Sequence, residues 1–226
     1  MPGPAAIANV VFDLDGTLVD SRPGIERAAR RAVAEVLPDR EPVPLAPLIG
    51  PPIATMLARA YPDVGDEEHA ALVAAFRRAY DGGDWRETVA FDGLHDVLAA
   101  CAAADKRLFV VTNKPAVPTR QILEHLGVWD RFEAVLSPDS EALRWRGKHV
   151  ALGHLTQAFK LLAEWSIYVG DDAEDRSAAR LAGLRFVAAT YGYGTAGITS
   201  EETDLAAIDR LSELVPLVID EDENEP

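Results

Sequence analysis

The chain has 226 residues, of which 48% are hydrophobic and 26% are charged, and its formal net charge is -15 with a sequence pI near 4.7. This is globular composition, with enough length for one sizeable core and a smaller accessory unit. The negative charge argues against binding to nucleic acid or to an anionic membrane, because both require basic surface patches.

The cysteine content and the apolar patterning narrow the class of protein further. Cys101 is the only cysteine, so no intrachain disulfide can form. No stretch approaches the roughly 18 apolar residues of a membrane span, and the first residues lack a signal-type pattern. We therefore expect a cytoplasmic protein, as a monomer or homodimer. The acidic run at residues 220–226 predicts a disordered tail.

A short strand is predicted near the start of the chain, followed at once by two carboxylates. Val10, Val11 and Phe12 form the β-branched and aromatic run of a buried parallel strand. Asp13 and Asp15 leave the chain on the same side, because side chains alternate along an extended backbone. Two such charges about 4 Å apart repel by roughly 4 kcal/mol at an effective dielectric of about 20. The pair therefore predicts a site that binds a cation or holds a proton.

Residues 20–90 are Ala-rich, helical in period and interrupted by prolines. The apolar spacing predicts helices over residues 24–37, 53–61 and 67–80, and Gly82 with Gly83 predicts a hinge or loop after them. We predict that this segment is a small helical cap inserted into one α/β core, which comprises residues 1–19 and 91–219.

From residue 91 onward, predicted helices and strands alternate. Strands are expected over residues 107–113, 132–138, 166–171 and 184–190, with helical patterns between them that include a helix from about residue 150 to 165. This alternation predicts a Rossmann-like, doubly wound parallel sheet with helices on both faces. Ligands of such sheets bind at the carboxyl ends of the strands, where Asp13, Thr112 and Asp171 all fall.

Three stretches resemble, in order, motifs of the haloacid dehalogenase-like hydrolases, a superfamily made mostly of magnesium-dependent phosphatases. DLDGTLVD, which begins at Asp13, resembles the first motif, and VVTNKP, which contains Thr112 and Asn113, resembles the second. VGDDAED, which contains Asp171, Asp172 and Asp175, resembles the fourth. Taken alone, the second and fourth stretches would also fit ordinary helix caps.

The third motif of this superfamily is a cation before a helix, for which Lys148 is the candidate. The chain has four lysines, and only Lys148 precedes a helical pattern in the right region. Arg144 and Arg146 are competitors, and Lys114 could add charge to the second motif or point into solvent. YGYGT, residues 191–195, is similar to a loop of phosphoglycolate-phosphatase-like members.

The resemblance implies that Asp13 attacks the substrate phosphorus and that Asp15 acts as general acid and base. Thr112, Asn113 and Lys148 would bind the phosphoryl group. The implied cofactor is Mg²⁺, and the implied metal-binding residues are Asp13, Asp15 through its backbone carbonyl and Asp171, with Asp172 and Asp175 as further candidates. The expected substrate is a small phosphate ester.

Several rivals share this core. A haloacid dehalogenase needs neither Asp15 nor a magnesium site, and a phosphonate hydrolase needs a cap lysine that residues 20–90 lack. A phosphosugar mutase stays open, although such relatives often carry an aliphatic residue where Thr17 stands. A non-catalytic module that binds a phosphorylated metabolite also stays open. Phosphoglycolate, a nucleoside monophosphate, a sugar phosphate and pyrophosphate are all possible substrates at this point.

Overall fold

The computed structural model describes residues 6–140, 147–194 and 204–219. The predicted acidic tail, Thr195 and the competing cations Arg144 and Arg146 lie outside the described residues. Within the described ranges, no helix has both the length and the apolar character needed to cross a membrane.

The strands form one six-stranded sheet and one two-stranded ladder. In chain order they are β1 (Asn9–Phe12), β2 (Val19–Asp20), β3 (Val89–Ala90), β4 (Arg107–Val111), β5 (Ala134–Leu136), β6 (Ser166–Gly170), β7 (Arg185–Ala189) and β8 (Asp204–Ile208). The large sheet is parallel throughout, in the order β5-β4-β1-β6-β7-β8. The predicted doubly wound α/β class is confirmed, and β1 lies at its centre between β4 and β6.

Helices cover both faces of this sheet. They are α4 (Leu94–Ala103), α5 (Ala116–His125), α6 (Lys148–Phe159), α7 (Ala173–Ala182) and α8 (Val215–Val218). Val10 and Phe12 pack in one cluster with residues of α4, α5 and α8, and Val11 packs in a second with residues of α6 and α7. Because both faces are covered, β1 is apolar at successive positions and does not alternate with polar residues.

The segment between β2 and β3 contains the predicted helices, α1 (Arg22–Val36), α2 (Ile53–Ala60) and α3 (Asp66–Gly82). Its two ends meet in an antiparallel ladder that pairs Val19 with Ala90 and Asp20 with Val89. The chain thus leaves and re-enters the core through adjacent strands. That these helices form a separate cap domain remains a prediction.

Gly82 ends α3, and Gly83 forms a turn that fits the predicted loop, followed by a short 3-10 helix over Asp84–Glu87. One helix end and one strand differ from the predictions. The helix predicted to reach residue 165 ends at Phe159, because Lys160 adopts a left-handed conformation with φ of 54°. Strand β8 was not predicted, since its Asp and Ala residues are weak strand formers.

Two glycines inside helices provide a matched test of packing. A methyl group on Gly24 in α1 would collide with the backbone carbonyl of Asp84, whereas one on Gly153 in α6 would meet nothing within 4 Å. We expect Gly24→Ala to destabilise the protein by about 1–3 kcal/mol through overpacking. Gly153→Ala should stabilise it by roughly 0.5–1 kcal/mol, because alanine is the better helix former. Thermal and denaturant unfolding would measure both, and equal shifts of one sign would contradict the tight contact at Gly24.

Candidate active site

The two carboxylates after β1 occupy a tight turn at the carboxyl end of the central strand. Asp13 is 4% exposed, and its backbone N–H donates to the Val169 carbonyl at 2.9 Å, which continues the pairing of β1 with β6. Gly16 has φ of 90°, a left-handed conformation that favours glycine. A Cβ atom there would also collide with the Asp171 carboxylate, so the turn brings the first and fourth motifs into contact.

Asp171, at the end of β6, is held by the loop that follows β7. The backbone N–H groups of Tyr193 and Gly194 donate to its Oδ2 at 2.7 and 3.1 Å, and the Thr17 hydroxyl lies 3.4 Å from its Oδ1. Burial raises the pKa of Asp171, and the two backbone hydrogen bonds oppose that rise. A Cβ atom on Gly192 would collide with Asp171, so the loop can approach only because glycine stands there.

Lys148 is the first residue of α6, and its side chain is buried between two carboxylates. Its Nζ lies 3.0 Å from Asp13 Oδ1 and 2.7 Å from Asp175 Oδ1. Burial alone would lower the pKa of this amine, but the two carboxylates raise it well above its ordinary value. Lys148 is therefore a buried cation beside Asp13, and its role as the cation of the third motif stays a prediction.

Asp175, on the first turn of α7, anchors Lys148 from behind. The Tyr168 hydroxyl on β6 lies 2.8 Å from the same Asp175 oxygen that accepts from Lys148, and 3.1 Å from the Val111 carbonyl. Burial raises the pKa of Asp175 well above its ordinary value, and the ammonium of Lys148 opposes that rise. Tyr168 was missed in the sequence, where it stands inside a buried apolar strand; its polar end was the available signal.

The surroundings of the Asp13 carboxyl raise its pKa strongly. Burial is the largest cause, and it raises the pKa of Asp13 to about 7 against the lowering effect of Lys148. Repulsion from Asp171, Asp15 and Asp172 raises the pKa further. A cation placed among these groups would favour the ionised form of Asp13, because opposite charge lowers a carboxyl pKa.

The carboxylates fit a divalent metal ion. One oxygen each from Asp13, Asp171 and Asp175 lies within 4.8 Å of the others. Asp175 Oδ2 is buried and accepts no hydrogen bond within the part of the chain that the structure describes, whereas Asp13 Oδ1 contacts the Lys148 ammonium. Hard oxygen donors of this kind suit Mg²⁺. Asp172 has a different role, because its side chain caps the N-terminus of α7 by accepting a hydrogen bond from the Asp175 N–H at 2.8 Å.

The second motif lies beside this cluster, at the end of β4. Thr112 is 1% exposed, and its Oγ1 accepts from the Lys114 backbone N–H at 3.2 Å, which leaves the hydroxyl hydrogen to donate elsewhere. The Asn113 amide donates to the Gly50 carbonyl and to Glu174 Oε2, each at 3.1 Å. The Asn113 side chain thus contacts the loop before α2, and only its backbone would be left to bind a phosphoryl group.

Lys114 is the functional candidate that sequence reasoning left undecided. Its side chain is 6% exposed, and its Nζ lies 3.0 and 2.9 Å from the two oxygens of Asp15. The Nζ atom also lies 4.9 Å from the ring centroid of Tyr80 on α3. The only signal in the sequence was its place directly after Thr112 and Asn113 at a strand end.

A cavity of about 150 Å³ lies between the carboxyl ends of the strands and the helical insert. Its core wall carries the charged and polar groups already described, namely Asp13, Asp15, Thr112, Lys114 and Lys148. Its other wall is mainly apolar, with Ile25, Ile49, Ile53, Met56 and Phe76, and it carries Tyr80, Arg77 and Asp81 as well. The cavity can therefore enclose a small ligand whose anionic end meets the core.

Comparison with known proteins identifies the relatives of this arrangement. The chain is 34% identical over 213 residues to the tyrosine-protein kinase PtkA of Mycobacterium tuberculosis, covering 90% of this chain and 71% of PtkA. It is 34% identical over 200 residues to the phosphoglycolate phosphatase of Cereibacter sphaeroides, covering 85% and 87% of the two chains. It is also 30% identical over 190 residues to a 5'-nucleotidase of Pseudomonas aeruginosa, covering 83% and 84%.

The solved structure of Mycobacterium tuberculosis PtkA superposes on this chain with a TM-score of 0.77 at 32% identity, covering 95% of this chain and 99% of that one. The family model described as haloacid dehalogenase-like hydrolase matches residues 10–189, which include every carboxylate of the site. The resemblance inferred from the motifs is therefore confirmed, and the chain belongs to the haloacid dehalogenase-like hydrolases.

Proposed function

We propose that this protein is a magnesium-dependent phosphatase that hydrolyses a small phosphomonoester through an aspartyl-phosphate intermediate. One observation carries the proposal: Asp13 lines the cavity, lies 3.0 Å from the Lys148 ammonium and shares a cluster with Asp171. A nucleophile beside a fixed cation and a metal site is the arrangement that phosphoryl transfer needs, because its catalysis depends on alignment and charge neutralisation.

In the first step, an Asp13 oxygen forms a bond to phosphorus while the bond from phosphorus to the ester oxygen breaks. Asp15 supplies the proton that the leaving alkoxide needs. Thr112 lies at the neighbouring strand end, where its hydroxyl hydrogen can donate to a phosphoryl oxygen. Lys148 neutralises charge on another oxygen, and Asp175 with Tyr168 keeps its ammonium in place.

In the second step, water attacks the phosphorus of the aspartyl-phosphate and restores the Asp13 carboxylate. Asp15 accepts a proton from that water, which returns Asp15 to its starting form. Asp13 and Asp171, with the backbone carbonyl of Asp15, would hold Mg²⁺. The bound ion would supply positive charge to the carboxylates and to the phosphoryl oxygens.

The shape of the cavity supports a small substrate. Its volume of about 150 Å³ and its mainly apolar wall of insert residues suit a compact leaving group. Phosphoglycolate and nucleoside monophosphates are the first candidates, since relatives carry names that specify them. A panel of phosphate esters, assayed for phosphate release, would identify the substrate. A phosphosugar that returns as its isomer, without phosphate release, would indicate the mutase alternative.

Magnesium dependence is the first prediction. Activity should disappear with a chelator and return with Mg²⁺, whereas Ca²⁺ should restore it poorly because it prefers more ligands and looser geometry. Asp171→Asn should raise the Mg²⁺ concentration needed for half-maximal activity, and Asp105→Asn, a change at an exposed turn, should not. Full turnover in metal-free buffer would contradict the proposed metal role.

The second prediction separates the two carboxylates after β1. Asp13→Asn should abolish both turnover and phosphoenzyme, because it lacks the attacking carboxylate. Asp15→Asn should lower turnover of alkyl esters by about 10²–10⁴-fold, the usual contribution of an acid or base. With an aryl phosphate, whose leaving group needs little protonation, it should accumulate a phosphate adduct on the peptide that contains Asp13. Mass spectrometry after rapid quenching would detect that adduct, and equal adduct in Asp13→Asn would place the nucleophile elsewhere.

The third prediction concerns the buried cation. Lys148→Ala should lower kcat by roughly 10²–10³-fold, the usual effect of removing a group that stabilises transition-state charge. Lys160→Ala should change kcat little, because Lys160 is exposed at the end of α6. Steady-state kinetics of the two variants would compare them. A loss confined to Arg144→Ala or Arg146→Ala would instead assign the third motif to one of those residues.

A further inference from the structure

Lys114 joins the two walls of the cavity through one buried ammonium. On the core side its Nζ contacts both oxygens of Asp15, at 3.0 and 2.9 Å. On the side of the insert it faces the ring of Tyr80, with 4.9 Å from Nζ to the ring centroid. These are its contacts in a pocket that also contains Asp13 and Lys148.

We propose that Lys114 is a positioning residue that holds Asp15 in the orientation needed for proton transfer, and that the ring of Tyr80 completes this hold when α3 covers the site. The inference rests on the function proposed above, since it assigns a task to Lys114 within the same reaction. It adds a second lysine to the site, with a role different from that of Lys148.

The geometry of Asp15 explains why it needs such a partner. Asp15 lies on the turn after β1, and its side chain is 15% exposed, so it is less confined than Asp13. Among the residues that the structure describes, Lys114 is the hydrogen-bond donor to the Asp15 carboxylate, and it contacts both oxygens. A contact to both oxygens limits how far the carboxylate can move from its place on the turn. Acid and base catalysis depends on that geometry.

The charge of Lys114 is already matched, which argues against a separate role in binding an anionic substrate. An ammonium has three N–H donors. Both carboxylate oxygens of Asp15 lie within hydrogen-bond distance of the Lys114 ammonium. Burial by itself would lower the pKa of Lys114, but Asp15 and Tyr80 raise it overall. The pair is a buried, compensated unit. By contrast, the Lys148 ammonium contacts Asp13, which is the proposed nucleophile.

The link to the helical insert comes from Tyr80 and from the neighbouring residue. Tyr80 is 4% exposed, and its ring covers the ammonium from α3. Asn113, one residue before Lys114, donates to the carbonyl of Gly50 in the loop before α2. Water would replace the ring if α3 withdrew, and a solvated ammonium binds a carboxylate less firmly than a desolvated one. The orientation of Asp15 is thereby connected to closure over the substrate.

The decay of the phosphoenzyme tests this role directly, because that step needs Asp15 as a base and no leaving group. Wild-type enzyme and variants are loaded with p-nitrophenyl phosphate, freed of substrate, and followed by quenching and mass spectrometry. Lys114→Gln should slow decay by about 10- to 100-fold, the loss expected from a misplaced catalytic group. KM for alkyl esters should change by less than about threefold, since Lys114 acts on the chemical step. Lys160→Gln is the matched control and should decay as wild type does.

A double-mutant cycle shows whether Lys114 acts through Asp15. If it does, Lys114→Gln should add less than about threefold to the slow decay of Asp15→Asn, because the two residues work as one unit. Multiplication of the two separate effects would overturn the proposal, and so would wild-type decay in Lys114→Gln. Circular dichroism and thermal unfolding would confirm that the variants are folded.

A second experiment changes Tyr80 and leaves Lys114 in place. Tyr80→Phe keeps the ring and removes the hydroxyl, so comparing its decay with that of Tyr80→Leu separates the effect of the ring from that of the hydroxyl, which also interacts with Lys114. Tyr80→Leu removes the ring and should slow decay several-fold, but not further in the Lys114→Gln background. Normal decay in Tyr80→Leu would overturn the link to α3. Failure of the wild type to form any phosphoenzyme would instead overturn the proposed function.

Discussion

Compensation of buried negative charge is the constraint on which this site depends. Asp13 and Asp175 would be costly to bury as bare carboxylates, and a single ammonium, that of Lys148, lies between them at 3.0 and 2.7 Å. Tyr168 then satisfies the oxygen that Lys148 shares. Among the described residues no lysine contacts Asp171, and two backbone N–H groups compensate its charge instead. The negative charge of these carboxylates that remains uncompensated favours the binding of a divalent cation.

The loop after β7 joins this charged centre to the point where the chain enters the helical insert. The backbone of Tyr193 donates to Asp171 at 2.7 Å, while its hydroxyl accepts from the backbone N–H of Ser21 at 2.7 Å, one residue before α1. Tyr191 donates in the same region, to the Thr17 carbonyl at 2.8 Å. A proposed metal ligand and the point where the chain enters the insert are thus held by one short loop.

Much of the fold could be predicted because its signals are local. Apolar runs such as Val10 to Phe12, each followed by polar residues, predicted strands, and the structure has a strand at each of these runs. β8 was missed because its Asp and Ala residues are weak strand formers, and β2 and β3 were missed because strands of two residues depend on their partners more than on their own composition. In the site, the two first-strand carboxylates, Thr112 and Asp171 lie together because the carboxyl ends of parallel strands meet at one edge, and Lys148 reaches them from the start of α6.

The sequence by itself determined the family, the order of the motifs and the residues that meet at the centre of the sheet, because these follow from runs of adjacent residues. Only the tertiary structure decided the partners of the charged groups. Lys114 and Asp15 are 99 positions apart, and Lys148 and Asp175 are 27 apart. Before folding, any of the four lysines could pair with many carboxylates of so acidic a chain. Burial removes that choice, since an ammonium that leaves water is stable only beside the carboxylates packed against it.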